Sequence, residues 1–154
     1  MGKRSNFERV ERDYYPTPIA AVEPLIPHLP YTFDYVEPCA GDARLIQHID
    51  ELTGGHGECL YACDIDPRHP DVFTFDALTL DFGGRGVVDY CITNPPWDRK
   101  ILHPMIAHWM YRCPTWLLFD ADWMHTKQSA WFMSYCTKVV SVGRVKWIEG
   151  SKSV

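Results

Sequence analysis

No run of 18 apolar residues occurs in the 154-residue sequence, so no membrane-spanning helix is expected. The opening Met1-Gly2-Lys3-Arg4-Ser5-Asn6 lacks the apolar stretch of a signal peptide. Asn6 also stands where a myristoylation signal carries Ser or Thr. A cytoplasmic protein is therefore expected. There is no Gly-x-Gly-x-x-Gly loop, which argues against a dinucleotide oxidoreductase. The six cysteines (39, 59, 63, 91, 113 and 136) are dispersed, and Cys59-x3-Cys63 has no matching second pair. They read as free thiols in a reducing compartment, with no metal site expected. No repeat, low-complexity tract or linker interrupts the chain, whose length suits one domain with a real core. A positive excess is missing as well, since the net charge is −5. The charge is unevenly spread, however. Residues 1–93 hold 7 Lys/Arg against 16 Asp/Glu, whereas residues 94–154 hold 8 against 4. An acidic half and a basic half suggest two faces with different partners.

What is present alternates strand-like and helix-like segments. Residues 1–13 are polar and charged and read as a flexible arm; residues 14–154 read as a single domain. Pro18 suits the first turn of a helix with Thr17 as its N-cap, running through Ile19, Val22 and Leu25 with a kink at Pro24. Phe33-Asp34-Tyr35-Val36-Glu37 reads as a strand, followed by a turn and a helix over residues 43–52. Further strands are predicted at 59–63, 73–75, 87–92 and 115–119, and helices at 101–111 and 126–135. In the helix over 101–111, Pro104 falls in the first turn, where it is tolerated. Two last strands are expected at 138–142 and 144–148, separated by Gly143. This alternation predicts an α/β fold with a doubly wound, mostly parallel sheet.

Thr93-Asn94-Pro95-Pro96-Trp97 is the most informative stretch. It follows the apolar run over 87–92, and the two prolines prevent both continuation of the strand and an immediate helix. A stiff loop at the carboxyl end of a strand results, carrying an amide, backbone carbonyls and an aromatic face. Asn-Pro also occurs in plain turns, but in open α/β sheets ligands bind at this edge. Three successive strand ends carry Glu37-x3-Gly41, Asp64 and Asn94-Pro95-Pro96-Trp97, with Asp76 between the last two.

This order and spacing over residues 14–147 resemble a class I S-adenosylmethionine-dependent methyltransferase, specifically the enzymes that modify the N6 amine of adenine. The resemblance implies a Rossmann-like methyltransferase sheet, S-adenosylmethionine as cofactor and DNA as partner, with RNA as the alternative polymer. It implies cofactor contacts from Tyr15, Thr17 and Pro18 to the methionine carboxylate end. Glu37, Pro38, Gly41 and Asp42 would form the cofactor loop, with Glu37 or Asp42 meeting the cationic amino group. Asp64, with Ile65 beside it, would take the ribose hydroxyls, and Asp76, with Ala77, the adenine amine. Asn94 and Pro95 would accept the two N–H bonds of the target amine, Pro96 would stiffen the loop, and Trp97 would stack on an extruded base. Trp147 resembles the aromatic on the base's other face; Arg99, Lys100, Arg144 and Lys146 would meet phosphates.

Bland readings stand beside these: Thr17 as a helix cap, Asp64 as a turn carboxylate, Asp76 as a loop carboxylate, the tryptophans as packing, and the basic residues as solvated charges. Two departures from the family pattern are visible. Ala43 replaces the usual later glycine of the cofactor loop, and the final strand of the family's sheet is expected to be missing after Trp147. The second implies either a truncated form or a minimal enzyme with an open sheet edge that a second copy or a partner subunit would cover. Without a recognition domain, low sequence specificity is expected. The competing functions are the same chemistry on RNA, or on a protein Gln, against which Trp97 in place of Tyr argues. A third is a cofactor- or nucleic-acid-binding module without catalysis.

Overall fold

In a computed structural model, described for residues 14–81 and 86–147, five strands form one sheet in the order β3-β2-β1-β4-β5. They are β1 Phe33–Glu37, β2 Gly57–Asp64, β3 Phe73–Thr74, β4 Tyr90–Thr93 and β5 Thr115–Leu117. Every pair is parallel. The expected α/β class holds, with an all-parallel sheet in place of a mostly parallel one. The helices are α1 Ile19–Val22, α2 Arg44–Thr53, α3 Arg99–Met110 and α4 Ala130–Met133.

Both faces of the sheet are covered, as parallel sheets require. Phe33 and Tyr35 of β1 and Ile92 of β4 pack with Val22 of α1 and Leu45 and Ile49 of α2. Val36 and Cys91, of opposite parity on the same two strands, pack with Trp109 of α3 and with Cys113. Leu102 and Ile106 of α3 bury Trp123 beyond β5. The chain runs outward from β1 through β2 to β3, then returns to place β4 on the other side of β1. The order therefore reverses between β1 and β4, and the crevice outside their carboxyl ends is the topological switch point.

Several boundaries differ from those expected, each for a local reason. The first helix stops after one turn: Pro24 lacks an N–H, and Glu23–His28 continues as a 3₁₀ helix. Thr17 does not cap it; Pro18 occupies that position with extended backbone and no side-chain cap. Helix α3 starts at Arg99 because the Asp98 side chain accepts a 3.0 Å bond from the Lys100 N–H. Pro104 therefore lies in its second turn, not its first. The helix expected over 126–135 divides into a 3₁₀ turn at Lys127–Ser129 and the one-turn α4. The two last strands do not form: residues 138–142 and 144–147 pair with nothing in the sheet, and Val139 is 59% exposed. β-Branched residues make a strand only where a partner and a buried face are offered. Residue 148, the arm at 1–13 and the chain end fall outside the described residues.

Candidate functional site

The loop after β1 is the tightest part of the edge. Gly41 sits at φ 52° and Ala43 at φ 62°, both left-handed. A side chain at Gly41 would meet the Tyr14 ring 3.0 Å away, so glycine serves both the turn and the close approach there. Ala43, where the family pattern has glycine, adopts the glycine-like conformation, and the Ala43 N–H to Ala40 carbonyl bond is 2.7 Å. That geometry costs an L-residue about 1–2 kcal/mol. Burial of the Ala43 methyl with Ala40 and Val72 offsets part of it.

Asp64, closing β2, reaches back to this loop. Its Oδ2 accepts from the Gly41 N–H at 2.9 Å and its Oδ1 from the Asp66 N–H at 2.8 Å. Each oxygen keeps a second lone pair. Glu37 ends β1 at 1% exposure, and its Oε2 has no hydrogen-bond partner. Burial, then the nearby Asp64 and Asp42 carboxylates, push its carboxyl well above the ordinary range. A buried carboxyl with one unpartnered oxygen, near two other carboxylates, is a fitting counterpart for a cationic amino group. Asp42 contacts Arg44 at 3.4 Å.

At the other side of the switch point, Asn94 follows β4. Its Nδ2 donates to the Tyr15 carbonyl at 3.3 Å and to Thr17 Oγ1 at 3.2 Å. The segment from Tyr14 to Thr17 therefore spans the crevice from the Asn94 loop to the Gly41 loop. Over Gly41, the Tyr14 ring carries the Arg68 guanidinium 3.6 Å from its centre, and the Arg68 backbone N–H donates to the Gly41 carbonyl at 2.9 Å. Burial and then the Asp42 carboxylate push the Tyr14 hydroxyl up to about 12.

The remaining expected residues fall into two groups. Asp76 follows β3 at the same edge, tied through the Phe75 N–H to the Asp64 carbonyl at 2.9 Å. Its own carboxylate accepts from the Leu78 N–H at 2.9 Å, and Ala77 beside it is buried. Ile65 is 65% exposed and Phe75 44%, so apolar surface lies open next to Asp64 and Asp76. The second group surrounds Trp97. Its ring meets that of Trp147 edge to face at 5.8 Å, so the two expected base-facing aromatics are brought together. As they stand no base fits between them. Arg99 and Lys100 open α3 just beyond, with Arg99 bonded to Gln128 at 2.6 Å. Arg144 and Lys146 are exposed near Trp147 in sequence. Pro95 is buried under the loop, with Pro96 half-buried.

Two participants were not foreseen. Tyr14 covers Gly41, and Arg68 covers Tyr14; an aromatic-proline segment and a lone arginine give no sequence signal for that contact. Asp120, just beyond the carboxyl end of β5, caps a 3₁₀ turn by accepting from the Asp122 N–H at 3.0 Å. An open hollow of about 400 Å³ against α2, lined by Ile46, Gln47, Asp50, Gly55 and Gly57–Cys59, gathers no convergent chemistry. No family model, curated protein or solved structure matches the chain.

Proposed function

We propose that the protein transfers a methyl group from S-adenosylmethionine to the exocyclic N6 amine of adenine in DNA, with low sequence specificity. The observation that carries this reading is convergence. Gly41 is hydrogen-bonded to Asp64, Asn94 is bonded to the Tyr15–Thr17 segment, and Tyr14 of that segment lies on Gly41. Motifs scattered over 80 residues of sequence thus meet in one crevice at the switch point of a parallel sheet.

The bound cofactor supplies the electrophile, a methyl group on a sulfonium. The chain's own residues hold and orient. Asp64 would accept ribose hydroxyls, Asp76 the adenine amine, and Ile65 and Ala77 would give apolar cover. The buried Glu37 carboxyl would meet the amino group with Asp42, while Pro18 and Pro38 stiffen the backbone on either side. Asn94 Oδ1 and the Pro95 carbonyl accept the two N–H bonds of the target amine. This aims its lone pair and stabilises positive charge as it develops. Trp97 would stack on the extruded base, and Trp147 would have to leave its contact with Trp97 to take the other face. Arg99, Lys100, Arg144 and Lys146 meet phosphates, so binding weakens steeply with salt. Among the described residues β5 is an edge strand, which a second copy or a partner subunit would cover.

A second reading has its own support: the Trp97–Trp147 contact closes the base slot, as expected of a module that binds cofactor or nucleic acid without catalysis. Titration with S-adenosylmethionine and transfer of its labelled methyl group to duplex DNA, single-stranded DNA and RNA separate the readings. Saturable binding abolished by Asp64→Ala, together with label in DNA, is the expected result. Label in RNA alone changes the substrate, binding without transfer selects the module, and no binding overturns both.

A further inference from the structure

We infer that Thr17 is a positioning residue for Asn94, fixing its amide so that the side chain offers a bound molecule an acceptor and no donor. The inference rests on the proposed methyl-transfer reading for its consequence, not for its geometry. A side-chain amide has two N–H donors on nitrogen and an acceptor oxygen, and nothing in its shape distinguishes the ends. The Tyr15 carbonyl, 3.3 Å away, can only accept. It therefore requires nitrogen on its side. The Thr17 hydroxyl, 3.2 Å away, takes the second hydrogen. Both donors are consumed within the chain, and what remains of the side chain is Oδ1. Thr17 is 6% exposed, so water does not compete for the bond. Its hydroxyl is also spared from helix capping, since Pro18 occupies the cap position.

The consequence is a choice of substrate chemistry. An oxygen-only Asn94 pairs with an amine that presents N–H bonds and opposes a group that presents only lone pairs. A rotated amide would set donor against donor and hold the amine away. Without the Thr17 hydroxyl, only the longer bond to the Tyr15 carbonyl resists that rotation. Thr17 then acts on the rate through Asn94, and not on cofactor affinity through the methionine carboxylate.

The test compares Thr17→Val, which keeps shape and loses the hydroxyl, with Thr17→Ser, which keeps the hydroxyl. The measurements are kcat, the KM for DNA, the Kd for S-adenosylmethionine, and the ¹H–¹⁵N signals of the Asn94 amide, assigned by their loss in Asn94→Ala. Thr17→Val is expected to lower kcat about tenfold, the effect of one hydrogen bond, with the cofactor Kd unchanged and most of the rate recovered in Thr17→Ser. Asn94 amide protons that exchange slowly in the native protein and faster in Thr17→Val support the clamp even if no methyl transfer is found with any polymer. Amide signals identical in the two proteins overturn it, as does a loss of cofactor affinity that accounts for the whole fall in rate.

Discussion

Replacing Glu37 by Gln should change the pH dependence of stability in a direction and to a limit that the structure sets. Glu37 is 1% exposed, and its Oε2 is unpartnered. Burial first, then the Asp64 and Asp42 carboxylates, raise its folded value above the ordinary 4.5. Above 4.5 the unfolded chain releases this proton while the folded chain retains it. The folded state then binds more protons, so stability falls with pH. The contribution is complete below 4.5 and is lost as pH rises through the folded value. The slope from one such group is at most about 1.4 kcal/mol per pH unit. Between 4.5 and pH 7 the ceiling is therefore about 3 kcal/mol, a large share of the ~5–15 kcal/mol typical of a domain. Gln fills nearly the same volume and does not titrate. Urea unfolding of both proteins between pH 4 and 8 measures the difference. The variant should gain on the native protein as pH rises above 4.5, whatever their offset at low pH. Parallel curves would refute the reasoning, and so would a native protein that gains on the variant with pH.

Gly41→Ala should lose cofactor binding and at least 1–2 kcal/mol of stability, because a left-handed φ and a Tyr14 ring 3.0 Å from the new methyl both oppose it; calorimetric titration and urea unfolding check the two halves. Ala43→Gly should change stability by less than about 1 kcal/mol, since relief of the left-handed strain offsets the lost methyl. Ala43→Val should be well below both in thermal unfolding. Asp98→Ala should cost about 1 kcal/mol through loss of the α3 cap, with cofactor affinity unaffected. A fall in affinity there would mean that the cap also holds the Asn94 loop.

Much of the framework was legible in the sequence for a physical reason. Strand β1 is buried on both faces and bounded by Pro38, so Phe33, Tyr35 and Val36 followed by an abrupt stop mark it. The Asn94 loop is similar, since its prolines leave few conformations open. Local stiffness and burial write themselves into a sequence. Contacts made at a distance do not. Thr17 has the right chemistry for a cap and the right place beside Pro18, yet its hydroxyl serves a residue 77 positions away. The segments at 138–142 and 144–147 carry valines that favour strands, but pairing is decided by what lies alongside, and among the described residues the sheet ends at β5. Ala43 shows the opposite case. It departs from glycine, yet packing against Ala40 and Val72 holds its backbone in the left-handed shape. Pro104 falls in the second turn because Asp98, three residues before the expected start at Ile101, caps the helix.

In the proposed reaction Asn94 presents an acceptor to an adenine amine. The most direct measurement is nucleoside mass spectrometry of unmethylated DNA after incubation with S-adenosylmethionine and either the native protein or Asn94→Ala. The account predicts N6-methyladenine from the native protein and none from the variant, with the cofactor Kd of the two within a few-fold. Methylation at another atom would contradict it, as would equal yields from both proteins or the absence of product despite bound cofactor.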